Sequence, residues 1–434
     1  MASRSLKPGV ARPDAEWLPT VPIRFTGEVL PDVLLRELGD HASLPFDQAT
    51  MLPLEVYRSP EVLAAELDNI FGADWLCVGR TADVAEPGDW FSALLPNRSA
   101  GDDGDTSTGR SVLVVRGRDD EIRAFDNVCI HRGVTLLEGC GSVNRITCPY
   151  HAWTYGLDGR LLGGPYMNRS TEADGTPFDP ARHTLGRLPV AVWEGFVFVS
   201  QADNPPPIAD SLGGLTDVVG RYRMADYVPI FSTVDVWPTN WKLLVENFMD
   251  AYHVFKVHKN SFGVDGDNTR FTTMYPGTES WAHHLVHNPA DPDFCTPANT
   301  TLSGDWRSTI VLAAVFPGFV IQLQPDWLWY LAITPLGTDR CRIAWQVAVA
   351  PDVLADQPDR DAYVKEIMDL VHLVNSEDHP VVTAVRSNVN RPQFERGPFS
   401  YLERNVYDFD RYVASKLTAA RPAVAGPPAV PTTD

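Results

Sequence analysis

The chain has 434 residues, 44 % of them hydrophobic and 21 % charged, which is enough for two or three domains with sizeable cores. Its 36 Lys and Arg face 56 Asp and Glu, and the net charge of −20 argues against nucleic acid or an anionic membrane surface as partner. No apolar run reaches eighteen residues, no signal-peptide pattern follows Met1, and the six cysteines show no disulfide framework. We therefore expect a cytoplasmic protein without a membrane span.

Residues 1–74 are predicted to form an N-terminal arm followed by a helix. Residues 1–42 carry scattered Pro, Gly and Arg with little periodicity, which indicates a partly ordered arm. Ser59-Pro60 then opens a helix, because Pro fits the first helical turn and apolar residues recur at helical spacing up to Phe71. This helix is expected to cap the next domain.

Residues 75–201 are predicted to form a small antiparallel β domain. Short β-rich runs cover 90–95, 111–115 and 121–125, and residues 190–200 indicate one buried strand that closes the domain. Leu157-Asp158-Gly159 is typical of a hairpin turn. The polar segment between the first two strands indicates a solvated loop.

Two short loops of this domain carry a four-ligand metal set. Cys129 and His131 form the first knuckle, and after sixteen residues Cys148 and His151 form the second. One Zn²⁺ could use the set as a closed structural site, whereas a Rieske [2Fe–2S] cluster would place both Cys on one iron and both His on the other. Each knuckle supplies one Cys and one His, which favours two irons side by side. Cys140 has no His at knuckle spacing and is not expected to be a ligand.

Residues 202–419 are predicted to form a larger domain after a Pro-rich linker, and the Pro/Ala-rich residues 420–434 a disordered tail. Strand patterns cover 281–287, 308–316, 320–333 and 340–350, with a break at Pro317-Gly318. An antiparallel sheet around a helix and an apolar cavity suits a small organic ligand. Its candidate lining residues are Phe248, Phe319, Trp327 and Trp329. A metal cluster on His283, His284 and His287 is the less favoured interpretation.

A second candidate metal site lies in the predicted helix at the start of this domain. Asp250 and His253 are three residues apart, so on one helix they point in similar directions. His258 lies five residues beyond His253, which is about 140° around an ideal helix. For both imidazoles to reach one metal, the helix must bend or end near residues 255–256. By itself this pattern is more typical of unrelated core and surface histidines.

Three segments resemble a known family. CIHRG and CPYHAWTYGLDGRL are similar to the two cluster-binding loops of Rieske proteins, and ENFMDAYH followed by His258 is similar to the mononuclear-iron motif of the Rieske non-haem iron (ring-hydroxylating) oxygenases. The resemblance runs from about Leu44 to about Leu417. It implies an α+β fold: a small antiparallel β Rieske domain and a larger catalytic domain of helix-grip type, whose antiparallel sheet wraps around helices.

The resemblance also implies roles for individual residues. Fe(II) would be held by His253, His258 and a carboxylate from a late helix, for which Asp378 is the candidate and Glu377 the alternative. Asp250 would hold His253 and link it to His131 or His151 of the neighbouring subunit. Pro380 departs from the expected pattern, because Pro should kink the helix or begin a new one directly after the ligand.

The activity implied is that of the α subunit of a terminal oxygenase. Such a subunit uses O₂ and electrons from NAD(P)H, which arrive through a separate reductase and in some systems a ferredoxin. A homotrimer is expected, with a β subunit in some systems. Enzymes on quaternary amines frequently carry Glu at the bridging position, so Asp250 favours mono- or cis-dihydroxylation of an aromatic or other apolar molecule. The alternatives are a monooxygenase that hydroxylates or demethylates a quaternary amine, and a non-catalytic iron–sulfur electron carrier or structural zinc protein.

Overall fold

A computed structural model describes residues 30–96, 109–262, 268–288, 295–391 and 395–419. Most of the predicted arm, the centre of the polar loop after residue 96 and the predicted tail lie outside the described residues. Where the arm is described it holds a helix that the sequence analysis did not predict, Asp32–Ser43. This helix packs on the last helix of the chain and buries Leu34 and Leu38. Leu34 and Leu38 lie four residues apart, a helical spacing that the sequence analysis did not use.

The described residues form eight α-helices and eighteen strands. The helices are α1 Asp32–Ser43, α2 Pro60–Glu66, α3 Ile208–Val219, α4 Trp241–Met249, α5 Val254–Val257, α6 Pro351–Asp356, α7 Arg360–Asn388 and α8 Arg404–Thr418. The strands are β1 Trp75–Arg80, β2 Asp89–Leu95, β3 Arg110–Arg116, β4 Ile122–Asp126, β5 Cys140–Ser142, β6 Ile146–Thr147, β7 Thr154–Tyr155, β8 Leu161–Gly163, β9 Arg187–Leu188, β10 Val190–Trp193, β11 Phe196–Ser200, β12 Val228–Trp237, β13 Thr272–Met274, β14 Trp281–His287, β15 Thr309–Val315, β16 Phe319–Leu323, β17 Trp327–Pro335 and β18 Cys341–Val349.

The helix predicted at Ser59-Pro60 is present as α2. Ser59 Oγ accepts a hydrogen bond from the Val62 N–H at 3.2 Å, and Pro60 occupies the first turn, so both start signals act as expected. After Glu66 the helix continues as a π-helical turn, Leu67–Phe71.

Three antiparallel sheets build the small β domain, in the orders β5-β2-β3-β4-β9, β1-β11-β10 and β6-β7-β8. The prediction of a single strand over residues 190–200 is wrong. Glu194 and Gly195 both adopt positive φ, 48° and 84°, and turn the chain between β10 and β11, which pair with each other. An uninterrupted apolar run does not reveal a turn of this kind.

The larger domain is built on one antiparallel sheet of seven strands, in the order β12-β18-β17-β16-β15-β14-β13. Helix α4 packs across β15, β16 and β17, and α7 and α8 pack against α4. Helices therefore cover one face of the sheet, which agrees with the predicted catalytic domain of antiparallel sheet and helices. A cis peptide between Phe316 and Pro317 marks the predicted break between β15 and β16. None of the helices in the described part of the chain is both long and apolar enough to span a bilayer.

The buried side chain of Arg80 joins the small domain to the larger one. Its guanidinium donates to the backbone carbonyls of Tyr227, at 2.9 Å, and of Met224. It also lies over the ring of Phe196, 5.5 Å from the ring centroid. A buried guanidinium is tolerated because carbonyl oxygens replace its water, so these contacts fix how the two domains meet.

Candidate metal centres

The two knuckles of the small domain have the same backbone design. The N–H of Gly133 donates to the Cys129 carbonyl at 2.9 Å, and the N–H of Ala152 donates to the Cys148 carbonyl at 3.1 Å. Gly133 and Ala152, each four residues after its Cys, both have positive φ, 76° and 56°. Each knuckle is thus a tight turn that presents a Cys and a nearby His to the space between the two loops.

The ligand side chains of the knuckles differ in exposure. Both cysteines are buried, whereas His131 is half-buried and His151 is exposed. The imidazole centroids lie 4.8 Å apart, and Trp153 stacks on His131 at 4.6 Å with an interplanar angle of 3°. The Tyr155 hydroxyl lies 3.2 Å from Cys129 Sγ. The set therefore has a protected sulfur side and an imidazole side at the surface.

These residues fit a [2Fe–2S] cluster better than a single zinc ion. Nδ1 of His131 is buried and has no hydrogen-bond partner, as expected of an atom that serves as a metal ligand. Ligands of one tetrahedral Zn²⁺, at about 2.0–2.3 Å from the metal, would crowd within about 4 Å of one another. Among the described residues, Cys129, His131, Cys148 and His151 do not form such a tight group. A wider space suits two irons with one pair of ligands each.

The structure brings His253, His258 and Asp378 together in the larger domain. The Nε2 atoms of the two histidines lie 3.1 Å apart, and they lie 3.4 Å and 3.3 Å from Asp378 Oδ1. Neighbouring ligands of an octahedral ion with bonds of about 2.1 Å lie about 3 Å apart, so the triangle has the dimensions of a facial triad. This donor set suits non-haem Fe(II) with open positions opposite the triangle.

A broken helix places the two histidines. Helix α4 ends at Met249, Asp250 is extended, and a new short helix, α5, begins after His253. The prediction that Asp250 and His253 share a helix is therefore wrong, and the break comes earlier than residues 255–256. Asp250 itself explains the break, because its Oδ1 accepts from the Tyr252 N–H at 2.6 Å and replaces a helical hydrogen bond.

Asp378 lies within a long helix rather than at its end. Helix α7 runs from Arg360 to Asn388 and includes Pro380. Of the two effects expected of this Pro, the start of a new helix does not occur. The side-chain amide of Asn247 donates to Asp378 Oδ1 at 3.3 Å. Sequence reasoning missed Asn247, although its place three residues before Asp250 was visible in the motif.

Glu377, the alternative third ligand, lies outside the triangle. Its Oε2 lies 3.0 Å from Nδ1 of His258, on the side of the imidazole that faces away from Asp378. Asp250 has the same relation to the other imidazole, with its Oδ2 3.1 Å from Nδ1 of His253. Each imidazole is thus held by a carboxylate at Nδ1 and presents Nε2 to the triangle.

The electrostatics of the triangle favour a bound cation. Burial would lower the pKa of His253, but hydrogen bonds to Asp250 and Asp378 raise it to about 10. Burial would raise the pKa of Asp378, but its contacts with His253 and His258 lower it to about 2. The carboxylates of Asp250 and Asp378 stabilise a positive charge in this largely buried site. A metal cation can therefore take the place of the proton on His253.

Two of the four candidate lining residues lie on the face of the sheet towards α4, and a third, Phe248, belongs to α4 itself. Phe248 contacts Trp329, with ring centroids 5.9 Å apart, and Trp327 shares the face of Trp329 on β17. Phe319 points to the opposite face and packs against Phe196, so its assignment is wrong. Which face a strand residue occupies depends on register, which the sequence left open.

The three other histidines form no metal site within the described residues. His284 Nδ1 lies 3.0 Å from the Asn405 side chain, His287 Nδ1 lies 2.9 Å from the Thr309 hydroxyl, and His283 stacks on a tyrosine ring. Burial lowers the pKa of His283 and His284 to about 4, so both are neutral core residues.

Two sequence families match the chain. Residues 74–188 match the Rieske [2Fe–2S] domain, and residues 224–419 match the ring hydroxylating alpha subunit (catalytic domain). The chain belongs to the Rieske-type ring-hydroxylating oxygenase α subunits. The first match contains the two knuckles, and the second contains the triangle of His253, His258 and Asp378. Each candidate metal centre therefore lies in the domain that holds the corresponding centre in this family.

The relatives of this Rieske oxygenase chain include several quaternary-amine enzymes. The oxygenase subunit of glycine betaine monooxygenase from Chromohalobacter salexigens is 35 % identical over 261 residues, which are 58 % of this chain and 52 % of the relative. The chain thus spans about half of that relative. Chloroplastic choline monooxygenase of Amaranthus tricolor is 24 % identical over 86 % of this chain and 79 % of its own.

Solved structures share the fold of about nine-tenths of the chain. A quaternary ammonium Rieske monooxygenase in complex with L-carnitine has a TM-score of 0.71 at 23 % identity and covers 90 % of this chain and 99 % of its own. Naphthalene 1,2-dioxygenase from Rhodococcus sp. has a TM-score of 0.73 at 21 % identity and covers 91 % and 100 %. At these identities the likeness concerns the fold alone.

Proposed function

We propose that this chain is the terminal oxygenase component of a Rieske non-haem iron system. The observation that carries the proposal is the triangle of His253, His258 and Asp378, with sides of 3.1 to 3.4 Å, in a chain that also has a Rieske domain. Iron bound there would supply O₂ activation, with electrons that come from NAD(P)H through a separate reductase and in some systems a ferredoxin.

The proposed roles follow from which atom of each side chain faces the triangle. His253 and His258 would bind the metal through Nε2, because their Nδ1 atoms face Asp250 and Glu377. Asp378 would supply the anionic ligand. Cys129, His131, Cys148 and His151 would hold the cluster. Three protein ligands on one side leave the other positions of the ion open.

The proposed substrate is a small quaternary amine that is hydroxylated or demethylated. The support is that the relatives named above act, by their names, on glycine betaine and choline. Phe248 packs against Trp329, with ring centroids 5.9 Å apart, and aromatic rings of this kind have the chemistry that holds a quaternary ammonium group. This reverses the preference that the sequence analysis drew from Asp250.

An aromatic or other apolar substrate remains the second candidate. Asp250 in place of Glu favours it, and the same two rings would suit an apolar molecule. The two candidates differ in one property, the fixed positive charge of the substrate.

We also propose a ring of three subunits, in which the Rieske domain of one subunit meets the larger domain of the next. Exposed Ile130, Tyr150 and His151 surround the imidazole side of the knuckles, and exposed Tyr252 and Phe255 lie beside Asp250. A head-to-tail contact between two different surfaces gives a ring when the rotation that relates neighbouring subunits closes, as we propose for three subunits. An additional β subunit and a cytoplasmic location are predictions from the sequence.

One experiment tests the class of protein and the substrate together. Purified protein is analysed for iron and acid-labile sulfide and by EPR after reduction, and O₂ uptake is then measured with a surrogate reductase. We expect uptake that depends on glycine betaine, carnitine or choline. Uptake with naphthalene or a similar ring instead would select the second candidate. Zinc without sulfide, or a cluster without any substrate-dependent uptake, would contradict the proposed function.

A further inference from the structure

The carboxylate of Glu377 is surrounded by donors that come from one turn of the chain. Its Oε2 accepts from the Ser261 hydroxyl at 2.6 Å and lies 3.0 Å from His258 Nδ1. Its Oε1 accepts from the Asn260 backbone N–H and from the Asn260 side-chain amide, both at 3.2 Å. The side chain is about 10 % exposed. An ionised carboxylate, which only accepts hydrogen bonds, matches all four contacts.

These contacts fix the tautomer of His258. Because Glu377 only accepts, Nδ1 of His258 carries the hydrogen, and in the neutral imidazole Nε2 then keeps its lone pair. That lone pair belongs to the atom that lies 3.3 Å from Asp378 Oδ1, at a corner of the triangle. The opposite tautomer would place two acceptors against each other at Glu377 and a hydrogen in the triangle, where no metal could bind.

The same carboxylate joins His258 to the turn at Asn260 and Ser261. The turn follows α5 directly. The carboxylate of Glu377, on α7, therefore contacts both the His258 imidazole and the turn at Asn260 and Ser261. Asp250, the carboxylate of the other imidazole, has no such role, because its second oxygen accepts from its own neighbour Tyr252. The two imidazoles are therefore held in different ways.

We infer that Glu377 is a positioning residue for the metal site: it sets the tautomer and ring plane of His258 and couples metal binding to the turn at Asn260 and Ser261. The inference rests on the proposed metal triad but not on the proposed substrate or reaction. A purely structural Glu377, one that only ties α7 to the turn, would affect folding but not metal affinity.

The test measures metal affinity without turnover. The full chain with its cluster is depleted of mononuclear iron by a chelator and titrated anaerobically with Fe(II), and the cluster spectrum reports an intact small domain. We expect Glu377→Ala to raise the Kd for Fe(II) about 10- to 100-fold. Glu377→Gln should lose less than Glu377→Ala, because its amide oxygen still accepts from Nδ1. The matched control is Asp369→Asn, an exposed acid on the same helix, with an unchanged Kd.

A second readout follows the turn itself. In the parent protein, Fe(II) should slow hydrogen exchange of the Asn260 amide, and in Glu377→Ala this protection should disappear. A Kd for Glu377→Ala equal to that of the control would overturn the inference, as would a Glu377→Gln variant that loses as much affinity as the Ala variant. If Glu377→Ala does not fold, Glu377→Leu fills the same space without an acceptor, and its Kd decides in the same way.

Three further outcomes separate this inference from the proposed function. Loss of all Fe(II) binding in Glu377→Ala, with binding retained in Asp378→Ala, would make Glu377 the ligand and overturn its positioning role. A parent protein that binds no Fe(II) at this site would overturn the proposed function, and the inference with it. Fe(II) binding without O₂ uptake would contradict the proposed function alone.

Discussion

The two candidate metal centres are assembled in different ways. Each knuckle is one short loop that supplies a Cys and a His, and the two loops have the same pattern of backbone hydrogen bonds. The triangle joins a broken helix to a residue 120 positions later in the chain, from His258 to Asp378. Ligands on a shared loop are positioned by local geometry, whereas ligands on distant helices are positioned by packing. The first kind of site is visible as spacing, and the second is not.

The centres also differ in exposure. His151 is exposed at the tip of a knuckle, whereas His258 is 3 % exposed and lies between two carboxylates. A surface imidazole suits contact with another protein, and a buried site strengthens every charge interaction within it. The following predictions test this contrast, from the largest expected effect to the smallest.

Replacement of Asp378 should remove one centre and spare the other. In Asp378→Ala we expect the iron content to fall from about three to about two per chain, because the triangle loses its only anionic ligand while the cluster keeps its own set. Substrate-dependent O₂ uptake should vanish. Metal analysis together with the cluster spectrum gives the result, and Asp369→Asn serves as control. An unchanged iron content would show that Asp378 is not a ligand.

Replacement of Asp250 should lower turnover with both metals in place. Asp250→Asn removes the charge that holds Nδ1 of His253, and we expect turnover to fall about 10- to 100-fold or more. The proposed bridging role is tested by mixing subunits. A variant without the cluster, Cys148→Ser, and a variant without the triangle, Asp378→Ala, should regain activity together if the centres work across subunits. No recovery in mixed oligomers would argue for a path within one chain.

The pH dependence of the metal-free triangle should follow His253. Its pKa is raised from 6.5 to about 10, so the protonated form contributes stability that is fully present below pH 6.5 and lost as pH rises through 10. We expect the melting temperature of chelated protein to fall across that window. The Fe(II) affinity should rise over the same window, since the metal displaces this proton. In Asp250→Asn the fall of the melting temperature with rising pH should be smaller. A fall as steep as that of the parent protein would show that another group causes it.

The smallest expected effect is on stability and comes from the backbone turns of the two knuckles. Gly133→Ala should destabilise the protein by about 1 kcal/mol, because a side chain is strained at its positive φ although nothing lies within 4 Å of the added Cβ. Ala152→Gly, at the equivalent position, should be neutral or stabilising for the same reason. Chemical denaturation that shows both changes destabilising would contradict the equivalence of the two turns.

The equivalence of the two knuckle turns was not visible in the sequence. The counterpart of Gly133 is Ala152, because both residues have positive φ. The spacing of four residues after each Cys was visible, but Ala gives no signal of positive φ. The break in α4 was predicted too late for a related reason, because a side-chain hydrogen bond of Asp250 ended the helix before apolar spacing showed an end.

The need for a carboxylate beside His253 and His258 was implied by the family resemblance. By itself the sequence predicted the four knuckle ligands and most of the strand patterns of the two domains. Those features depend on spacing within a loop or on periodicity within one element, and both are local properties of the chain. Only the tertiary structure decided that Asp378 completes the triangle while Glu377 turns to His258. Adjacent residues on a helix point about 100° apart, so the packing of α7 against α4 determines which carboxylate faces which atom.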